Sequence, residues 1–245
     1  MAVVETTEQA LYEELNGKSP EELFRWALEK HGDRAGIVTS FQDTGCVMID
    51  IMQRVAPGLR VITVDTLRLP QETYELMDAV EAKYGIHVER FTPDPARLAK
   101  MVAQHGEFLF FDSKEKQEYC CKIRKVEPND RVLDTLDVWF TGLRRDHSEF
   151  RMETPKLQLI NRGGHAILKI APLADWDKER IDTYSAEHGV PKNALYDKGY
   201  TSIGCVICTT PTLPHEPARA GRWRWFNYLD KDEKECGIHV AGSGI

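Results

Sequence analysis

Along the chain, short apolar runs alternate with longer stretches in which apolar residues recur every three or four positions. "RAGIVTSF" and "LRVITVDT" are β-branched runs that end in polar loops, and "IHVERF" and "DVWFTG" repeat the pattern further on. Runs of this length and composition predict strands. Between them lie helical patterns: "CVMIDIMQRVAPG", closed by Pro57 and Gly58, then "PQETYELMDAVEAKYG" and "PARLAKMVAQHG". Strand and helix in alternation require crossover connections, so the pattern predicts an α/β protein with a doubly wound parallel sheet.

Ahead of the first strand, "SPEELFRWALEKHG" carries a helix's start signals. Ser19 is the cap, Pro20 takes the first position, Glu22 closes a capping box, and Gly32 follows the end. It reads as a lid helix on a core. "KLQLIN" and "HAILKIAPL" flank "RGG" as a hairpin or edge pair, "WDKERIDTYSAEHG" reads as a last helix, and the chain then turns irregular and rich in Pro and Gly. With no repeat, low-complexity run or flexible linker, one domain is expected: an N-terminal helical region over 1–33, an α/β core over 34–190, and a functional C-terminal segment over 191–245.

The 245 residues, 42% hydrophobic and 29% charged, suffice to bury a full core. A formal charge of −7 argues against a nucleic-acid binder, so any anion site must be a local concentration of basic residues. No stretch approaches the roughly 18 consecutive apolar residues of a membrane span, and the N-terminus is acidic where a signal peptide would be basic. A cytoplasmic protein is expected. In a reducing compartment its six cysteines point to metal or redox chemistry rather than to structural disulfides.

Ligands of open parallel sheets sit at the carboxyl ends of the strands, with phosphates on the amides of a helix N-terminus. "TSFQDTG", Thr39 to Gly45, occupies such a place and offers Ser40 among its hydroxyls, although it matches neither GxGxxG nor GxxxxGK[ST]. The next strand ends in "VDTLRLPQET", which puts Asp65 and Arg68 on the same rim. "TGLRRDHSEFR" adds Arg144, Arg145 and Arg151 on a third loop. Guanidinium forks pair with phosphate or sulfate oxygens. A lone Arg-Arg would be a solvated basic turn; three polar loops after successive strands favour a nucleotide pocket.

The cysteines are spaced unevenly. Cys120 and Cys121 are adjacent in "EYCCKIRKVEP", and Cys205 and Cys208 form a CxxC in "SIGCVICTTP". Four thiolates suit tetrahedral zinc or an iron-sulfur cluster. Adjacent cysteines strain the geometry of a single zinc but can reach two irons of a larger cluster. Lys122, Arg124 and Lys125 surround the pair and would partly offset thiolate charge. Cys46, on the apolar face of a predicted helix, reads as a core residue, and the tryptophans of "GRWRW" as packing anchors. A sixth cysteine, Cys236, stands near the C-terminus in "KECGIH".

Taken together, "TSFQDTGCVM", "VDTLRLPQETYEL", "CCKIRKVEP", "TGLRRDHSEFR", "IGCVICTTP", "HEPARAGRWRW" and "KECGIH" resemble the assimilatory adenylyl-sulfate and phosphoadenylyl-sulfate reductases, in the family's order from about residue 35 to 239. The resemblance implies an adenine-nucleotide α-hydrolase-like fold and reduction of adenylyl sulfate to sulfite and AMP by thioredoxin or a similar dithiol. It implies Cys236 as nucleophile, passing through a cysteine S-sulfonate, and a four-iron four-sulfur cluster on Cys120, Cys121, Cys205 and Cys208. It also implies a substrate anion gripped by Lys125, Arg151, Arg219 and Arg222. His239 is a candidate partner for the thiolate, and Gly237 gives the tail backbone freedom. The cluster-bearing branch prefers adenylyl sulfate over its 3′-phosphate. Many relatives carry glycine near the start of the nucleotide loop, whereas this chain has its first at Gly45. The rival readings are a phosphoadenylyl-sulfate or dual-specificity reductase and an iron-sulfur redox-sensing nucleotide-binding module. An ATP-using tRNA thiolase or sulfurylase subunit would need an SGGxDS loop, which is absent. Homo-oligomerisation is left open.

Overall fold

A computed structural model describes the backbone of residues 2–147 and 151–226, with side chains over 9–147 and 151–225. Six strands form one sheet in the order β3-β2-β1-β4-β6-β5. These are β1 (Ala35–Val38), β2 (Arg60–Val64), β3 (Val88–Phe91), β4 (Val138–Phe140), β5 (Leu157–Arg162) and β6 (His165–Ile170). All pairs are parallel except β5 with β6. That hairpin turns through Gly163 and Gly164, whose φ values of 59° and 95° suit the "RGG" read as a turn.

The crossover helices are α3 (Asp43–Val55), α4 (Gln71–Tyr84) and α5 (Pro95–His105). After α5 comes a rod of α6 (Lys114–Cys121), a π-helical segment Lys122–Val126 and α7 (Glu127–Leu133). α8 (Lys178–His188) follows the hairpin. Strand order reverses at β1: the chain winds outward to β3, then returns to place β4 on the other side. That reversal opens a crevice at the carboxyl ends of β1 and β4.

α2 (Pro20–His31) forms where its signals lie. Ser19 accepts from the Glu22 amide at 3.3 Å while Glu22 accepts from the Ser19 amide at 2.7 Å. Such a cap contributes about 1 kcal/mol. The lid expectation does not hold: Leu23 and Phe24 are fully buried, and the Phe24 ring lies 4.6 Å from that of Phe140 in β4, so α2 is part of the core. Within the N-terminal region expected to be helical, the polar stretch ahead of α2 forms α1 (Ala2–Leu15), which buries Leu15 and is tied by the Tyr12 hydroxyl donating to Leu157 O on the sheet's edge strand. Among the described residues, no helix is long and apolar enough to cross a membrane.

Candidate functional site

The loop after β1 is held tightly. Thr39 Oγ1 accepts from the Phe41 amide at 3.0 Å, and Thr63 Oγ1 donates to Thr39 O at 2.8 Å. Gly45, in the first turn of α3, packs so closely on this loop that a Cβ there would overlap Thr39 Oγ1. This is the physical reason for the glycine at 45. Phe41 is fully buried at φ 55°, a region non-glycine residues rarely adopt. Only two other described non-glycine residues do so: Leu67, after β2, at φ 57°, and Trp223 at φ 45°. Trp223 lines one of the two cavities described next, and Phe41 and Leu67 each stand between two residues that line one, as strained backbone at functional sites does.

The larger cavity, about 600 Å³, lies at the strand-order reversal. Ser40 and the first turn of α3 form one wall, and the loop after β4 another. Seven lysines and arginines line it against two carboxylates, Asp43 and Asp146, in a chain whose net charge is −7. The basic residues are therefore concentrated here. Lys125, Arg151, Arg219 and Arg222 all line this space, as expected for a grip on an anion.

Arg144 lines it too, but its guanidinium is buried in protein partners. It donates to both oxygens of Asp146, at 2.8 and 3.1 Å, and to Thr44 Oγ1, with Asp43 3.7 Å away. It braces the loop against α3. Arg145 turns away, pairing with Asp175 and donating to Thr154 O at 3.0 Å, and does not line the cavity. Asp65 is also outside: its Oδ1 accepts from the Leu67 amide and the Tyr74 hydroxyl, both at 2.8 Å, fixing the turn after β2. Sequence reading missed Tyr196, whose hydroxyl accepts from the Asp43 amide at 3.1 Å, and His147. Tyr196 lies in no run with a recognisable spacing, whereas His147 stands inside "TGLRRDHSEFR", where the arginines drew the reading.

The smaller cavity, about 40 Å³, gathers Cys120, Cys121, Cys205 and Cys208. The rod supplies Gln117, Cys120, Cys121, Arg124 and Lys125, a spacing of three to four that puts them on one face. A π turn within that rod is a feature common at functional sites. Gln117 Nε2 donates to Cys121 Sγ at 3.1 Å, and Thr66 Oγ1 lies 3.2 Å from Cys205 Sγ. Arg68, expected at the nucleotide, lines this cavity instead and pairs with Glu107 at 3.0 Å. Lys122 lines neither cavity. Trp223, read as a packing anchor, is buried in the wall, and Cys46 is a core thiol pushed up to about 12 by burial.

Burial likewise raises the Cys120 and Cys208 thiols, against the opposing pull of Arg124 and Arg68 on Cys120 and of Arg222 on Cys208. Around them, Arg68 Nη1, Arg124 Nε, Arg222 Nε and Trp223 Nε1 are buried donors with no hydrogen-bond partner among the described residues. Four soft donors ringed by orphaned N–H groups fit an anionic, sulfur-rich group. No group of three or more His, Cys, Asp or Glu among the described residues is set to hold a single metal ion. Lys125 and Arg222 line both cavities, so the wall between them is cationic. Cys236 and His239 lie outside the described residues.

The profile of the phosphoadenosine phosphosulfate reductase domain matches residues 34–211. A protein of Allochromatium vinosum named adenosine 5′-phosphosulfate reductase is 40% identical over 207 residues, covering 84% of this chain and 79% of its own. One of the same name from Agrobacterium fabrum is 42% identical over 212 residues, covering 86% and 80%. Among solved structures, the phosphoadenylyl-sulfate reductase of Candida auris, in its phosphate complex, superposes with a TM-score of 0.69 at 28% identity, covering 82% of this chain and 95% of that one.

Proposed function

This chain belongs to the phosphoadenosine phosphosulfate reductase family, and from that premise we propose that it reduces adenylyl sulfate to sulfite and AMP, with thioredoxin or a similar cytoplasmic dithiol as the donor. It is an oxidoreductase acting on sulfur, with an adenine-nucleotide α-hydrolase-like fold. The observation that carries the reading is the shared wall: Lys125 and Arg222 face both the basic nucleotide-sized cavity and the four cysteines. Adenylyl sulfate is preferred over its 3′-phosphate because the relatives that share 40–42% identity bear the name of the adenosine 5′-phosphosulfate enzyme.

In this reading the adenylyl group lies against the β1 loop and α3, and the phosphosulfate points to Lys125, Arg151, Arg219 and Arg222. These cations offset the charge of the sulfate and of an approaching thiolate, and stabilise the departing phosphate. The Cys236 thiolate attacks the sulfate sulfur, the bond from that sulfur to the AMP oxygen breaks, and AMP leaves with the electron pair. Cys236 then carries an S-sulfonate. A donor thiolate attacks Cys236 Sγ, sulfite departs with the pair from the broken S–S bond, and the donor's second thiol resolves the mixed disulfide. The two electrons come from oxidation of the dithiol to its disulfide, so sulfite and AMP balance the reaction. Cys120, Cys121, Cys205 and Cys208 would hold a four-iron four-sulfur cluster, which supplies fixed charge beside Lys125. The two thiol steps account for both electrons.

Incubating the cluster-loaded protein anaerobically with radiosulfur-labelled adenylyl sulfate, without thioredoxin, and mapping the label tests this. Label on Cys236, released as sulfite by added thioredoxin, is the expected result. Label only from the 3′-phosphorylated nucleotide would move the assignment to the phosphoadenylyl-sulfate reductases. Nucleotide binding without any adduct would leave the redox-sensing reading.

A further inference from the structure

Within the basic cavity one acceptor is set among donors. His147 Nδ1 lies 3.2 Å from Arg151 Nη1, and the Arg144 backbone N–H points to the same nitrogen at 3.4 Å. A guanidinium and a peptide N–H can only donate, so Nδ1 carries the lone pair and the ring proton sits on Nε2. Burial, with Arg144, Arg151 and Arg219 beside the ring, pushes the imidazole down to about 3, against the opposing pull of Asp146. At neutral pH the ring is uncharged.

Both buried arginines of this loop meet a local acceptor. Arg144 is held by the Asp146 carboxylate, which cancels its charge and fits a bracing role. Arg151 meets an imidazole that fixes a guanidinium's direction and adds no negative charge. We propose that His147 is a positioning residue for Arg151, a neutral acceptor that aims its guanidinium at the anionic end of the nucleotide. The proposal rests on the reading that this cavity binds adenylyl sulfate.

The test uses the holoenzyme in five forms: wild type, His147→Asn, His147→Phe, Arg151→Ala and the His147→Phe/Arg151→Ala double variant. Asn offers Oδ1 close to where Nδ1 sits, whereas Phe keeps the ring and loses the acceptor. Calorimetric binding of AMP and adenylyl sulfate is measured alongside steady-state turnover. The Phe variant should raise KM and the adenylyl sulfate Kd about tenfold with kcat within about threefold, a loss on the scale of one hydrogen bond to a charged group. The Asn variant should recover most of that loss, and the double variant should be no worse than Arg151→Ala alone. Equal impairment of Asn and Phe, wild-type affinity in the Phe variant, or additive losses in the double variant would each overturn the proposal. If the Phe variant fails to fold, His147→Leu takes its place in the same comparison. A wild-type protein that binds neither nucleotide would instead defeat the underlying reading of the cavity.

Discussion

At the residue scale, the site depends on a few close approaches and one suppressed charge. Gly45→Ala would force Thr39 to rotate and give up the bond that holds the Phe41 amide. Overpacking of this kind costs about 1–3 kcal/mol, so the variant should melt several degrees lower and bind AMP at least about tenfold more weakly. Adding Thr39→Ala should restore much of the melting temperature, which a double-mutant cycle reads directly. His147 adds a pH dependence. Its folded value, about 3, lies below the ordinary 6.5, so the unfolded chain binds more protons between the two, and stability falls as pH drops from about 6.5 toward 3. Among the described residues, the charged groups that act on it are Arg144, Arg151, Asp146 and Arg219. In His147→Asn the chemical-denaturation midpoint should fall less between pH 7 and pH 5 than in the wild type; an unchanged slope would show that other groups set it. The sequence marked Gly45 as out of place but could not say why, because the cause is a side chain six residues earlier brought back by the loop.

At the scale of elements, alternation made the parallel core legible: β1 to β4 and α3 to α5 formed where the apolar periods put them. No helix was predicted over the rod from Lys114 to Leu133, because its first part offers no apolar stripe: α6 buries only Gln117 and Cys120, and the apolar anchors Ile123, Val126, Val132 and Leu133 come later. Within the expected helical region over 1–33, the extent of α1 was not legible, because its anchors are tertiary: a tyrosine hydroxyl on β5 and the Trp26 indole donating to Glu14 at 2.9 Å. The arginines show the same limit. Arg144, Arg145 and Arg151 share one loop, yet one braces, one faces outward and one lines the cavity, a sorting set by the tertiary fold rather than by spacing. On the rod, Lys125 alone faces both cavities. Lys125→Ala should lower turnover about a hundredfold, the scale of one lost transition-state cation or donor, while iron content and visible absorbance stay at wild-type level. Loss of absorbance in parallel with activity would instead make Lys125 a structural support for the cysteines.

For the whole molecule the question is which charge a nucleotide senses. The chain carries −7 overall, which would repel an anionic substrate, while seven cations and two carboxylates line the cavity. Screening decides the contest. At about 0.1 M ionic strength the Debye length is about 10 Å, so carboxylates spread over the far surface are largely hidden from a ligand in the crevice. The cavity cations lie within a few ångströms of it in a partly desolvated space, where screening is weaker. Adenylyl sulfate affinity should therefore fall as salt rises from about 0.05 to about 0.3 M, and more steeply than AMP affinity, because the added sulfate meets Lys125, Arg151, Arg219 and Arg222. Calorimetric titration of both nucleotides across that range checks the order. An affinity that rises with salt would mean that the global negative charge dominates, and equal slopes for the two nucleotides would mean that the sulfate is held by neutral donors rather than by these four cations.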